Sequence, residues 1–427
     1  MGCSSVADNP PMPSPAPPAP PTRSAPGVAT ALAAPRPLRV LAMSRDIHGA
    51  ISQIRLVRAL MHLAQAGLLA LRLRDFHHRR RGDDHWADVV VLQRATGPLQ
   101  LRWLRQWQAL GVAVVVEIDD LLTAPAPHLA QHDALLASQP ALRALLGEAD
   151  VITVSTAPLA EALSATLGVH APPVRLVPNC SIGFDGPPAR HDGQRPISLI
   201  VASSDRQHLG ALGDALADLL ARNGAAAARR QMIELWGVGP VAAALQTRGL
   251  PHRTLPLLPV DQFLPTLAAL PNPVGMLPLD GSDFSRCKSA VKFFDYAMAG
   301  IPSLCADREP YRAVVRPGVT GWLCADEHGA WALALSQVCA QAERRQAVAA
   351  AARADVLAQH TLAQMAQAWL AALTQARAGR QRRPAPWLRQ AGDALADAAT
   401  APWAALREAN RRRLRQRQAG TPPTPRA

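Results

Sequence analysis

The chain has 427 residues with a formal net charge of +13, 49% hydrophobic and 4% aromatic. It is too long for one ordinary domain and apolar enough to bury a core, which excludes a wholly disordered chain and a small disulfide-stapled one. The charge sits mainly in the C-terminal segment, which is dense in arginine, so a nucleic-acid-binding core is not implied and no specific nucleic-acid partner is expected.

Residues 1–37 are rich in Pro, Ala and Ser and cannot bury a core, so they are expected to form a disordered leader. Met1-Gly2-Cys3 is not followed by the basic and apolar stretches of a signal peptide, and Val6 stands where a myristoylation pattern wants Ser or Thr. The six cysteines are scattered, with no C-x-x-C pair, which argues against disulfides and structural zinc and for a reducing cytoplasm. Leu110 to Val116, among the longest apolar runs, is far short of the roughly 20 residues that span a bilayer.

From Leu38 the pattern changes. Leu38–Met43, Asp88–Leu92, Val112–Val116, Val151–Val154 and Val174–Val177 are continuous, mostly β-branched runs, most of them separated by helical patterns such as Gln53–Ala66. Unbroken apolar runs are what strands covered on both faces look like, and the β-α-β rhythm is that of a parallel, doubly wound sheet. After a Gly/Pro-containing break at Gly183–Pro196 the rhythm restarts at Ser198–Val201, Met232–Leu235, Val274–Leu277 and Pro302–Cys305. Two Rossmann-like α/β domains are therefore expected, over 38–190 and over 191–373, the second ending in a closing helix, facing a central cleft, with a basic tail over 374–427.

The chain holds only two lysines, Lys288 and Lys292, beside 43 arginines. Where arginine serves for positive charge in general, two lysines four residues apart point to a need for a compact ammonium, a common phosphate binder. If residues 288–295 are helical, Lys288, Lys292 and Asp295 share one face at i, i+4 and i+7. The loop Asp280-Gly-Ser-Asp283 would lead from a strand into that helix, whose N-terminus suits a diphosphate, with Asp295 placed for ribose hydroxyls. The bland alternative is a solvated basic face in which Asp295 pairs with Lys292.

Met276-Leu-Pro-Leu-Asp280, the stretch Phe284-Ser-Arg-Cys-Lys-Ser-Ala-Val-Lys-Phe-Phe-Asp-Tyr-Ala-Met-Ala-Gly-Ile-Pro302, Tyr311 and Gly318-Val-Thr-Gly-Trp-Leu323 resemble the C-terminal half of family 4 glycosyltransferases. The likeness is to a bacterial branch with an F-N-x-x-K-S-x-x-K-x-x-E-Y-A signature found among surface-polysaccharide enzymes. Ile51-Ser-Gln-Ile-Arg55, Glu117-Ile-Asp-Asp-Leu-Leu122 and Val177-Pro-Asn-Cys180 resemble its acceptor loop, strand-end acidic motif and pre-linker stretch. The resemblance implies a GT-B fold, two Rossmann-like domains that hold a nucleoside diphosphate sugar mainly on the second, with retention of configuration and no metal or other cofactor. It places Asp295 at the ribose, Asp283, Phe284 and Ser285 at sugar and phosphate, and Lys288, Ser289 and Lys292 in the donor site. Two departures stand out: the family's second motif glutamate is Asp295, and its first falls on Cys287.

Glu117, Asp119 and Asp120 close an apolar strand and are expected to project into the cleft, where a carboxylate can stabilise positive charge on the sugar; the alternative is that Asp119 or Asp120 caps a following helix. Arg45, His48 and Arg55 follow the first strand, where a first β-α loop would face the cleft, and His48 with a nearby acid could polarise an acceptor hydroxyl, or simply be solvated. Arg206, after the first strand of the second half, could reach the diphosphate. The arginine-dense His77 to His85 stretch is read as a solvated loop rather than a metal site. Arg377 to Arg417 mixes Trp387 and Trp403 with arginines, suiting an anionic membrane surface as well as solvated disorder. The first reading is a cytoplasmic glycosyltransferase acting on a glycan or lipid-linked glycan, with peripheral membrane contact through the tail. The second is a non-catalytic GT-B nucleotide-binding or adaptor module, and the third is RNA binding by the tail.

Overall fold

The strands β1 (Leu38–Ser44), β2 (Leu69–Asp75), β3 (Val89–Gln93), β4 (Ala113–Ile118), β5 (Val151–Val154) and β6 (Val174–Leu176) pair in the order β2-β1-β3-β4-β5-β6, all parallel. The strands β7 (Ile197–Ala202), β8 (Ile233–Val238), β9 (Arg253–Leu255), β10 (Pro273–Leu277), β11 (Ser303–Ala306) and β12 (Trp322–Cys324) form a second parallel sheet, ordered β12-β11-β10-β7-β8-β9. This computed structural model describes residues 36–193, 196–203, 209–225 and 233–379. Most of the leader, most of the basic tail, and Arg206 lie outside the described residues.

The central strands are buried on both faces because their side chains are apolar on both: β3 and β7 are buried at every position. The edge strand β2 escapes the run-based reading because it alternates Leu-Arg-Leu-Arg-Asp. Its arginines are not waste, since Arg72 and Arg74 pair with the buried Asp83 and Arg72 stacks on Trp86. Asp83 belongs to the stretch read as a solvated loop; His77, His78, Arg80 and His85 are indeed exposed, but Asp83 is buried and Arg79 and Asp84 are half-buried. Arg79 lies over Trp103 and Trp107 and bonds Asp84, which also accepts from Trp107 Nε1 at 2.8 Å, so the stretch is tied to the helix Pro98–Ala109.

One helical run covers the other face of that sheet. It starts at Ala50, widens into a π-helical turn over Gln53–Val57, and continues to Gln65. Arg55, Leu56 and Val57 are all buried in that turn. The last described helix, Leu362–Ala378, starts at a capping box formed by Thr361 and Gln364. It runs beyond the boundary expected at 373 and packs on the first half rather than the second. Trp369 and Leu373 join a cluster with Leu60, Val91 and Val115, and Trp369 Nε1 donates to the Arg55 carbonyl at 2.8 Å. The preceding helix, Ala342–Gln359, stays in the core of the second half through Val348, Ala352 and Val356. The described residues from Pro37 onward thus cluster as one body, and the chain crosses between its halves twice.

Candidate donor and acceptor site

The carboxyl ends of β3, β4 and β5 carry Gln93, Glu117 and Thr153 side by side, on the face covered by the π turn. Glu117 therefore does not project into the cleft: it is fully buried and bonds Arg55 Nε at 2.8 Å. Arg55 in turn donates through Nη1 to the Val177 carbonyl and to Asn179 Oδ1, each at 2.6 Å. Burial pushes the Glu117 carboxyl upward while Arg55 pulls it back. Both residues were expected at the cleft, and both are core; strand alternation turns residue 117 inward. Asp119 and Asp120, beyond the end of β4, do reach the partly exposed edge, and no helix follows for them to cap.

An arginine that no motif announced organises these two carboxylates. Arg94 directly follows β3, with φ of 49°, and its Nη1 bonds Asp119 at 3.0 Å and Asp120 at 3.2 Å. Burial alone would lower its pKa; Asp119 and Asp120 more than offset that and raise it, so the guanidinium is permanently charged.

On the second half, the loop after β10 enters a four-residue helix, Asp283–Arg286, capped by the Ser282 side chain accepting from Ser285 N at 3.2 Å. Helical structure then breaks at 288–290 and resumes over Val291–Met298. The expected single face of Lys288, Lys292 and Asp295 is therefore not formed. The connector between the helices is tied instead to the first half, the Cys287 carbonyl accepting from Thr156 Oγ1 at 2.9 Å and Ser289 Oγ from Asn179 Nδ2 at 2.6 Å. Lys288 Nζ lies 2.8 Å from Asp120 Oδ1, across the two halves. Lys292 Nζ donates to the Ala202 carbonyl at the end of β7, at 2.7 Å.

Asp295 is buried and accepts from Ser181 Oγ and the Ile182 N–H, both at 2.9 Å. Burial pushes its carboxyl up to about 6, against the pull of those two bonds and of Arg58. Phe284 and Ser285 are buried, while Asp283 is exposed. Cys287 is fully buried, and burial pushes its thiol up to about 11, so it is a neutral packing group in place of a carboxylate.

His48 and Arg45 stay exposed on the loop after β1, which Asp46 braces by accepting the His48 N–H at 3.1 Å. His48 lines a cavity of about 770 Å³ shared by both halves and the linker, with Arg58, Phe184, Asp185, Leu258 and Asp261 among its walls. Among the described residues no group of three or more His, Cys, Asp or Glu could hold a metal ion, and no helix is long and apolar enough to cross a membrane.

Residues 283–371 match a family model described as glycosyl transferase-like. No curated protein matches the chain in sequence. Among solved structures, sucrose-phosphate synthase from Thermosynechococcus elongatus is similar with a TM-score of 0.54 at 15% identity, over 77% of this chain and 96% of that one. Anabaena HepE, solved in complex with UDP and glucose, is similar with a TM-score of 0.51 at 13% identity, over 79% and 99%. TarM gives 0.49 at 10% identity over 67% of this chain, which spans about half of TarM's length, 54%. The two parallel sheets with their helices are those of a two-domain GT-B fold, and the segment from Asp283 to Ala371 within it is glycosyl transferase-like in sequence.

Proposed function

We propose that this protein is a glycosyltransferase of the family 4 kind, of the bacterial surface-polysaccharide branch. It moves a hexose-type sugar from a nucleoside diphosphate sugar to a hydroxyl of a glycan or lipid-linked glycan, in the cytoplasm or at the inner membrane face. The observation that carries this reading is that the glycosyl transferase-like segment contains both lysines of the chain and joins the carboxyl edge of β10 to the carboxyl edge of β4. Open parallel sheets bind ligands at that edge.

The chemistry follows from the charges. As the acceptor O–H attacks the anomeric carbon, the bond to the diphosphate breaks, negative charge collects on the leaving oxygen, and the acceptor proton passes to that oxygen. Lys288 and Lys292 offset the growing negative charge, and Asp119 and Asp120 face the positive character of the sugar. His48 and Arg45 stand on the acceptor side, and Asp295 on the ribose side. Retention and independence of metal belong to this proposal. The buried Cys287 in place of a carboxylate favours a second reading, a GT-B module that binds nucleotide without turnover.

Nucleotide release from a panel of UDP-, GDP- and ADP-sugars in EDTA separates the two. The enzyme reading expects release from one donor class that collapses in Lys292→Ala. Binding without release from any donor, in the presence of candidate acceptors, would support the module instead.

A further inference from the structure

The stretch from Phe284 to Ser289 is held by the first half along its length. Phe284 is 3% exposed and joins the apolar cluster of Leu121, Leu122 and Ala126, with the His128 ring edge-on at 6.0 Å. The Cys287 carbonyl and Ser289 Oγ are bonded by Thr156 and Asn179. Between them Lys288 stands with its ammonium 4.7 Å from the Phe284 ring centroid and 2.8 Å from Asp120 Oδ1. The other carboxyl oxygen of Asp120 is bonded by Arg94, which also holds Asp119. Arg94 adopts a positive φ that side-chain-bearing residues rarely take, and its N–H donates to the Glu117 carbonyl at 2.8 Å. Such a conformation persists only where the surroundings over-determine it.

To an ammonium, a carboxylate and a diphosphate oxygen offer the same chemistry: an anionic acceptor at hydrogen-bond distance. One positive charge compensates one such anion well and two poorly. We propose that Asp120 competes with the donor's diphosphate for Lys288, and that Arg94 is the positioning residue that sets how readily Asp120 releases it. The inference rests on the reading of Lys288 as a phosphate ligand. By pairing with Asp119 and Asp120 together, Arg94 drains charge from the carboxylate that competes with the ligand. Without it, two adjacent carboxylates would grip Lys288 harder and repel the incoming diphosphate.

The test is equilibrium binding of UDP, GDP and ADP to the full chain, by calorimetry at low salt. Asp120→Asn is expected to bind the preferred nucleotide about fivefold tighter, and Arg94→Gln about tenfold weaker, with Arg94→Lys recovering most of the loss. The gain from Asp120→Asn is expected to vanish in a Lys288→Met background, a dependence that loosening of the fold does not produce. Because the chain has two lysines, lysine-selective NMR labelling gives a second readout: the Lys288 resonance should shift with Asp120→Asn and on adding nucleotide to the wild type. Wild type that binds nucleotide while Asp120→Asn binds it no tighter, or a gain that persists without Lys288, overturns the inference alone. Nucleotide refused by wild type and Asp120→Asn alike overturns the reading of the site as well.

Discussion

The carboxyl edges of the two sheets handle charge in opposite ways. At the first, Arg55 and Glu117 neutralise each other in the core of their own half, and Arg94 shares its one charge between Asp119 and Asp120. At the second, Lys288 finds its anion on the other half, and Asp295 takes its donors from Ser181 and Ile182, on the approach to the linker. Compensation inside one half is fixed when that half folds. Compensation supplied from outside lasts only as long as the halves and linker keep their places, which is the property a ligand-responsive site needs.

Breaking the internal pair should therefore cost most. Arg55→Ala leaves Glu117 buried and uncompensated and removes the donors to Val177 and Asn179, with an expected loss of about 3–5 kcal/mol in denaturant unfolding. Trp369→Ala opens a cavity where the closing helix meets the same turn and deletes its bond to the Arg55 carbonyl, for about 3–4 kcal/mol by the same measurement.

Asp295 brings a pH signature. Its folded pKa of about 6 lies above the ordinary value of 3.8, so the folded chain holds this proton more tightly than the unfolded one. Its contribution to stability accordingly falls as pH rises from 3.8 to 6, and the loss is constant above that window. Asp295→Asn has no such proton, and its stability relative to wild type should rise by up to about 3 kcal/mol between roughly pH 4 and pH 8. Paired unfolding curves across that range check the sign. The smallest effect belongs to an exposed pair between the halves, Arg286 with Glu161 at 3.5 Å, where Glu161→Gln should change stability by less than about 0.5 kcal/mol. A large effect there would mean that the halves are held by surface charge rather than by Phe284, Cys287 and Lys288.

Most of this architecture was legible because buried parallel strands leave unbroken apolar runs: nine of the twelve strands among the described residues stand out in the sequence alone. The strands β9 and β12 are short, and β2 is an edge strand that alternates apolar residues with arginines, whose partner Asp83 lies beyond the strand, 11 and 9 residues on. The closing helix was visible as a helix but not as a guest of the first half, since its apolar face does not say which core it fills. In the site, the two lysines stood out by rarity. The break between them did not, because its cause lies in Thr156 and Asn179, more than a hundred positions away. Arg94 carried no local signal at all: its meaning comes from carboxylates 25 and 26 residues downstream.

The most direct measurement of the central claim compares nucleotide affinity in variants of the two edges, Lys292→Met and Glu117→Gln, each scaled to its folded fraction. The account expects Lys292→Met to lose about tenfold or more in nucleoside diphosphate affinity while Glu117→Gln, though destabilised, binds as wild type does. Affinity lost with Glu117 and kept without Lys292 would contradict it.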